Sequence, residues 1–285
     1  MKTAAEPRVR VGKSCYLNVL PVDHALDCGA VAHNFDFTVG PPAELNARMA
    51  AGELDLSAVS SIEYARRSSQ YLLVPDLAIG SRGPVQSVLL LSKRPIHTLG
   101  DQTILVSSQT HTSAALLRVL FREYLPLEPA YETGDASERI AFGDPPVALL
   151  AIGNEALALR NHPAYAFCWD LGEVWRTWTG LPFIFGVWVV RRAFATEHPA
   201  AAWAAARTLL ESKAWGQERL PELIRLAAQQ VSVPLAELDS YFRGLVYDLG
   251  EPEYAGLRCF YGHLAQTGEI AAPPTLECIG PPDSR

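Results

Sequence analysis

"VQSVLLLSKR" (residues 85–94) and "FIFGVWVVRR" (183–192) are two strong strand signals, dense in Val, Ile, Leu and aromatic side chains. Between them strand-like and helix-like patterns alternate. "TILVSS" (103–108) reads as a strand and "HTSAALLRVLFREYL" (111–125) as a helix. "PAYET" is a strand, "DASERIAFG" a short helix, and "VALLAIG" (147–153) a buried strand. A similar series precedes them. Residues 8–14, 33–39 and 54–60 read as strands, separated by helical stretches at 20–28 and in "PPAELNARMAAGE". If the two long runs cross between two parts of the molecule, the middle series is a lobe inserted into the first. A ligand cleft then lies between the lobes, where strand C-ends and helix N-termini converge. From pattern alone the alternation also fits one continuous, mostly parallel α/β sheet. From about residue 197 the chain turns helical, in pieces at 197–217, 220–230, 234–248 and 252–266. Pro221, Pro234 and Pro252 stand near helix starts.

The bulk numbers exclude several classes. The chain has 285 residues, a net charge of −7 and 49% hydrophobic residues, which is a globular composition. No dense Lys/Arg run offers a face for nucleic acid. No stretch is long and apolar enough to span a bilayer. The five cysteines, Cys15, Cys28, Cys168, Cys259 and Cys278, are odd in number and form no CxxC pair. With an N-terminus lacking an apolar signal core, they give the expectation of a cytoplasmic protein with reduced thiols. The expected partner is a small-molecule substrate, with neither nucleic acid nor membrane.

No GxGxxG, Walker loop, HExxH or GxSxG is present, and the seven histidines show no metal-ligand spacing. No cofactor and no metal are therefore expected. What remains is a set of polar residues at strand-to-helix junctions. Asn18 follows the first strand. Ser60 and Ser61 follow "LDLSAV". Gln86 and Ser87 sit in "GPVQSVLL". Thr112 and Ser113 open the helix after "TILVSSQ", and Asn154 follows "VALLAIG". Each taken singly is an ordinary helix cap. Together they are the means by which a protein binds carboxylates with hydroxyls and helix N-terminal amides. His111 stands near this set. His24, Cys15 and the Trp175/Trp178 pair read as surface, buried thiol and mostly core.

Several segments in order resemble chorismate dehydratases of the futalosine route to menaquinone. They are "YLNVLP", "GELDLSAVSSIEYAR", "GPVQSVLLLSK", "TSAALLRVL", "AIGNEAL", "DLGEVWRTWTGLPFIFGVWVVRR" and "YFRGLVYDLGEPEYAGLRCF", within about residues 8–260. The resemblance implies a two-lobe type II periplasmic-binding-protein-like fold with two crossover strands and a ligand between the lobes. On that basis lobe 1 is expected to comprise 1–92 with 187–285, and lobe 2 to comprise 93–186. A solute-binding protein for a small carboxylate and the sister dihydroxynaphthoate synthase are the competing readings. The sister enzyme carries an "IHE" histidine where this chain has "GNE". Two positions depart from the family's commoner pattern: Cys15 replaces a serine, and Asn154 an aspartate.

The resemblance implies loss of water from chorismate to give 3-[(1-carboxyvinyl)oxy]benzoate. On this reading Asn18 and Ser87 are catalytic. Ser60, Ser61, Gln86, Thr112, Ser113 and Asn154 bind substrate. The base is either the substrate's own enolpyruvyl carboxylate or His111.

Overall fold

A computed structural model describes residues 7–107 and 109–282. Among these residues, eleven strands form two mixed sheets. The strands are β1 (Val9–Ser14), β2 (Phe35–Gly40), β3 (Leu56–Ser60), β4 (Tyr71–Ser81), β5 (Val88–Ser92), β6 (Thr103–Val106), β7 (Ala130–Thr133), β8 (Ala148–Ile152), β9 (Phe167–Asp170), β10 (Phe183–Arg191) and β11 (Leu245–Val246). The first sheet has the order β11-β4-β10-β3-β1-β2, the second β7-β6-β8-β5-β9. β1 pairs in parallel with β2 and β3, and β6 with β7 and β8. β10 runs antiparallel between β3 and β4, and β5 antiparallel between β8 and β9. The fold is thus a two-lobe mixed α/β fold, and the sheets are less parallel than the alternation alone suggests. Strands that arrive from the other lobe enter their sheet against its direction.

The two decisive runs do not straddle the lobes themselves. Residues 88–92 lie wholly in the second sheet, and 183–191 wholly in the first. The chain passes between sheets at 82–87 and again at 171–182. This differs from the seam expected at 92/93 and 186/187. The reason is local. Gln86 has φ +61°, which ends extended structure just before β5. The two passages are clamped together by Asp170. Its carboxylate accepts from Val85 N at 3.0 Å and Gln86 N at 2.6 Å, and from Gly172 N at 3.0 Å and Glu173 N at 3.2 Å. It therefore caps the helix Leu171–Thr179 and holds the outgoing passage at once. The contact is close: a Cβ on Gly172 would fall 2.6 Å from the Gly83 carbonyl oxygen, so only glycine fits.

One apolar cluster runs through both lobes, taking Val88 and Leu90 from β5 together with Leu116, Leu117 and Phe121. The alternate residues Leu89 and Leu91 join a smaller cluster on the other face of the second sheet. Burial on both faces explains the unbroken "VLLL" run. The helix His111–Val119 ends in a π-helical turn, Leu120–Tyr124, where the sequence pattern reads as continuous helix. Among the described residues no helix is long and apolar enough to cross a membrane.

Candidate functional site between the lobes

The C-terminal ends of β1 and β3 and the N-terminus of the helix His111–Val119 face one another across a cleft. It encloses about 820 Å³ of free space, including its open mouth. Asn18, Ser60, Ser87, His111, Thr112 and Ser113 line it. Ser61, Gln86 and Asn154 do not. Ser61 is fully buried, with its hydroxyl 3.5 Å from that of Thr112. Gln86 points away, donating to Ser240 Oγ at 3.1 Å and accepting from Arg160 at 3.3 Å. Asn154 lies at the edge, where its Oδ1 accepts from Leu17 N across the lobes at 3.4 Å.

Asn18 and Ser60 are not spent on helix caps. The helix Leu20–Asp27 has Val19 at its N-cap and no side-chain cap, so Asn18 does not close it. Ser60 precedes the helix Ser61–Arg67 without a cap bond. Instead the Asn46 amide grips Ser60 twice: Nδ2 donates to Ser60 Oγ at 3.1 Å, and Oδ1 accepts from Ser60 N at 3.3 Å. That leaves the Ser60 proton to point elsewhere. Thr112 does cap, but across the lobes: its Oγ1 accepts from Ile62 N at 3.2 Å. Gln109 makes a further bridge, accepting from Ala43 N at 3.3 Å.

Asn18 sits on a single 3₁₀ turn, Leu17–Val19, between β1 and the next helix. Its Oδ1 is shielded from solvent and has no hydrogen-bond partner. A buried acceptor left in this state costs about 1–3 kcal/mol. Ser87 is also buried.

Further residues complete the lining. Ser14, Tyr16, Gln109, Thr110, Gly153 and Phe185 all contribute. Tyr16 lies against Gly153, whose φ is +57°; a Cβ there would meet the ring at 3.3 Å. Burial pushes the Tyr16 phenol up to about 12, with Cys15 and Glu155 adding to the effect. The tyrosine was visible in "YLNVLP", but nothing in the sequence signalled that a glycine opposite would receive its ring. Among the described lining residues there is no Asp or Glu. The cleft offers hydroxyls, amides and one imidazole, a set suited to an anion bound by hydrogen bonds.

Among solved structures, a structural-genomics protein from Archaeoglobus fulgidus superposes with a TM-score of 0.75 at 19% identity, covering 92% of this chain and 98% of that one. The periplasmic aliphatic sulphonate binding protein of Escherichia coli gives 0.66 at 14% identity, covering 98% and 95%. At such identities these likenesses establish the periplasmic-binding-protein-like fold alone. A curated relative, chorismate dehydratase of Thermus thermophilus, is 30% identical over 266 residues, 88% of this chain and 93% of that protein. The family model described as menaquinone biosynthesis matches residues 9–266, from the first strand to the last long helix. That span takes in both sheets and the whole cleft lining, and the chain belongs to this menaquinone biosynthesis family.

Proposed function

We infer that the protein is a chorismate dehydratase, a hydro-lyase of menaquinone biosynthesis acting in the cytoplasm. The observation that carries the site assignment is the buried, unpartnered Oδ1 of Asn18 on the wall of the cleft that Ser87 also lines. The chemistry gives it a use. The ring proton at C3 of chorismate is γ to the ring carboxylate through a double bond, so the carbanion left by its removal spreads onto that carboxylate. The C4–O bond then breaks, the departing hydroxide gains a proton, and the ring becomes aromatic. Product and water together carry the atoms and charge of the substrate.

In this reading Asn18 Oδ1 accepts from the C4 hydroxyl and sets the direction of the C–O bond. The Ser87 hydroxyl donates to the same oxygen as negative charge develops on it. Ser60, Thr112 and Ser113 hold carboxylate oxygens. Gln86, Ser61 and Asn154 act from outside the lining, through the turn, helix and lobe contacts described above. The enolpyruvyl carboxylate, tethered to C3, takes the proton; its effective concentration there is high because it belongs to the same molecule. His111 is then a wall of the site and not its base.

The test is direct. Purified protein, dialysed against a chelator, is incubated with chorismate and followed by mass and ultraviolet absorbance. The expected product is aromatic and lighter than chorismate by one water. Binding of chorismate without turnover would instead make the protein a solute-binding relative.

A further inference from the structure

The segment "YFRGLVYDLG" (241–250) lies far along the sequence from the first strand, yet it reaches Asn18, one of the two residues assigned to the reaction. Tyr247 follows β11 and is buried; its phenol donates to the Asn18 main-chain carbonyl at 2.8 Å. We propose that Tyr247 is a positioning residue that fixes the turn carrying Asn18 on the cleft wall. The proposal rests on the assignment of Asn18 above.

The platform under this phenol is held from several sides. β11 pairs with the end of β4, Leu245 opposite Ser81 and Val246 opposite Gly80. The Tyr247 carbonyl accepts from Ala78 N at 3.0 Å. It also accepts from Lys213 Nζ at 3.4 Å. Lys213 is itself buried and fastened to the Asp76 carbonyl at 2.7 Å and the Asp248 carboxylate at 2.8 Å. Asp76 takes φ +50° inside β4, and that bulge turns its carbonyl and carboxylate to the lysine. The turn that carries Asn18 has no side-chain cap of its own. Burial keeps the Tyr247 phenol neutral, pushing it well above 10. It remains a hydrogen-bond donor throughout the working pH range.

Tyr247→Phe removes one hydroxyl and no packing. A shift of about an ångström at a reacting group costs up to about 100-fold in rate. The expected result is a fall in kcat of about 10- to 100-fold with KM changed less than about threefold, the split expected when transition-state contacts are lost. Tyr64→Phe is the control. Tyr64 is also buried and does not line the cleft; its phenol donates to the Thr275 carbonyl at 2.9 Å and accepts from Glu277 N at 3.2 Å. It should lower stability at least as much as Tyr247→Phe and leave kcat unchanged. In an Asn18→Ala background Tyr247→Phe should add nothing.

If Asn18→Ala lowers kcat but Tyr247→Phe does not, the positioning role is wrong and the site assignment stands. The positioning role is equally wrong if Tyr247→Phe is as damaging in the Asn18→Ala background as in the wild type. If Asn18→Ala and Ser87→Ala both keep full kcat, the site assignment fails and takes this inference with it.

Discussion

Replacing Asn18 by leucine separates a residue kept for folding from one kept for chemistry. The Oδ1 is buried without a partner. An orphaned acceptor of this kind costs about 1–3 kcal/mol, and an apolar group of similar shape removes that cost. For a chain of this length 1 kcal/mol corresponds to about 2–4 °C in Tm. Asn18→Leu should therefore melt no lower than the wild type, and up to a few degrees higher. On the proposed reading the same substitution also removes the acceptor for the C4 hydroxyl. Hydrogen bonds involving charged or developing-charge groups are worth about 1.5–3 kcal/mol, so kcat should fall roughly 10- to 100-fold. Thermal denaturation and initial rates with chorismate measure the two effects on one preparation. A variant with a Tm lower by several degrees and an intact kcat would make Asn18 a structural residue and remove it from the reaction.

Three further outcomes follow from the same structure. Asp23 is buried in the helix Leu20–Asp27, and burial pushes its carboxyl up to about 7, opposed by Lys13 and reinforced by Asp27. Between its ordinary value near 4 and about 7 the folded state holds a proton the unfolded chain has lost. Stability should therefore fall by about 1.4 kcal/mol per pH unit as pH rises through that window, then level off. Asp23→Asn should flatten this slope in denaturant titrations; an unchanged slope would mean that Asp23 is ionised in the fold. Asp170→Ala strips four backbone N–H groups of their acceptor at the two passages between lobes. Loss of the cap alone costs about 1–2 kcal/mol, so the urea midpoint should drop clearly, and an unchanged midpoint would dismiss the clamp. Gly153→Ala forces a Cβ into φ +57° and against Tyr16. It should cost about 1–2 kcal/mol of stability and raise KM, whereas a variant with native Tm and KM would show that the Tyr16 contact yields freely.

What the sequence discloses follows from the range of the forces involved. Two-sided burial leaves an apolar run, so β5 and β10 stand out in "VLLL" and "FIFGVWVV". Junction polarity is also local, and six of the nine residues expected at the site do line the cleft. Gln86 escaped because its direction depends on one left-handed backbone angle that no neighbour announces. Asn154 escaped because Gly153, also left-handed, turns it toward the Leu17 amide. Ser61 and Ser60 are adjacent, and only the double grip of Asn46 on Ser60 decides which faces the cleft. Tyr247 looks like core because it is core; only its hydroxyl reaches Asn18, from more than 200 residues along the chain.

On the proposed reading, the cleft of Asn18 and Ser87 dehydrates chorismate with the substrate supplying its own base. General-base catalysis is worth about 10²–10⁴ in rate, so masking that base is a large perturbation. Turnover of chorismate methylated only on its enolpyruvyl carboxylate decides the point. The expected result is a competitive ligand that occupies the cleft and yields no aromatic product, alongside a His111→Gln protein that keeps most of its kcat on chorismate. Aromatic product formed from the methyl ester at a rate near that of chorismate would overturn the substrate-borne base.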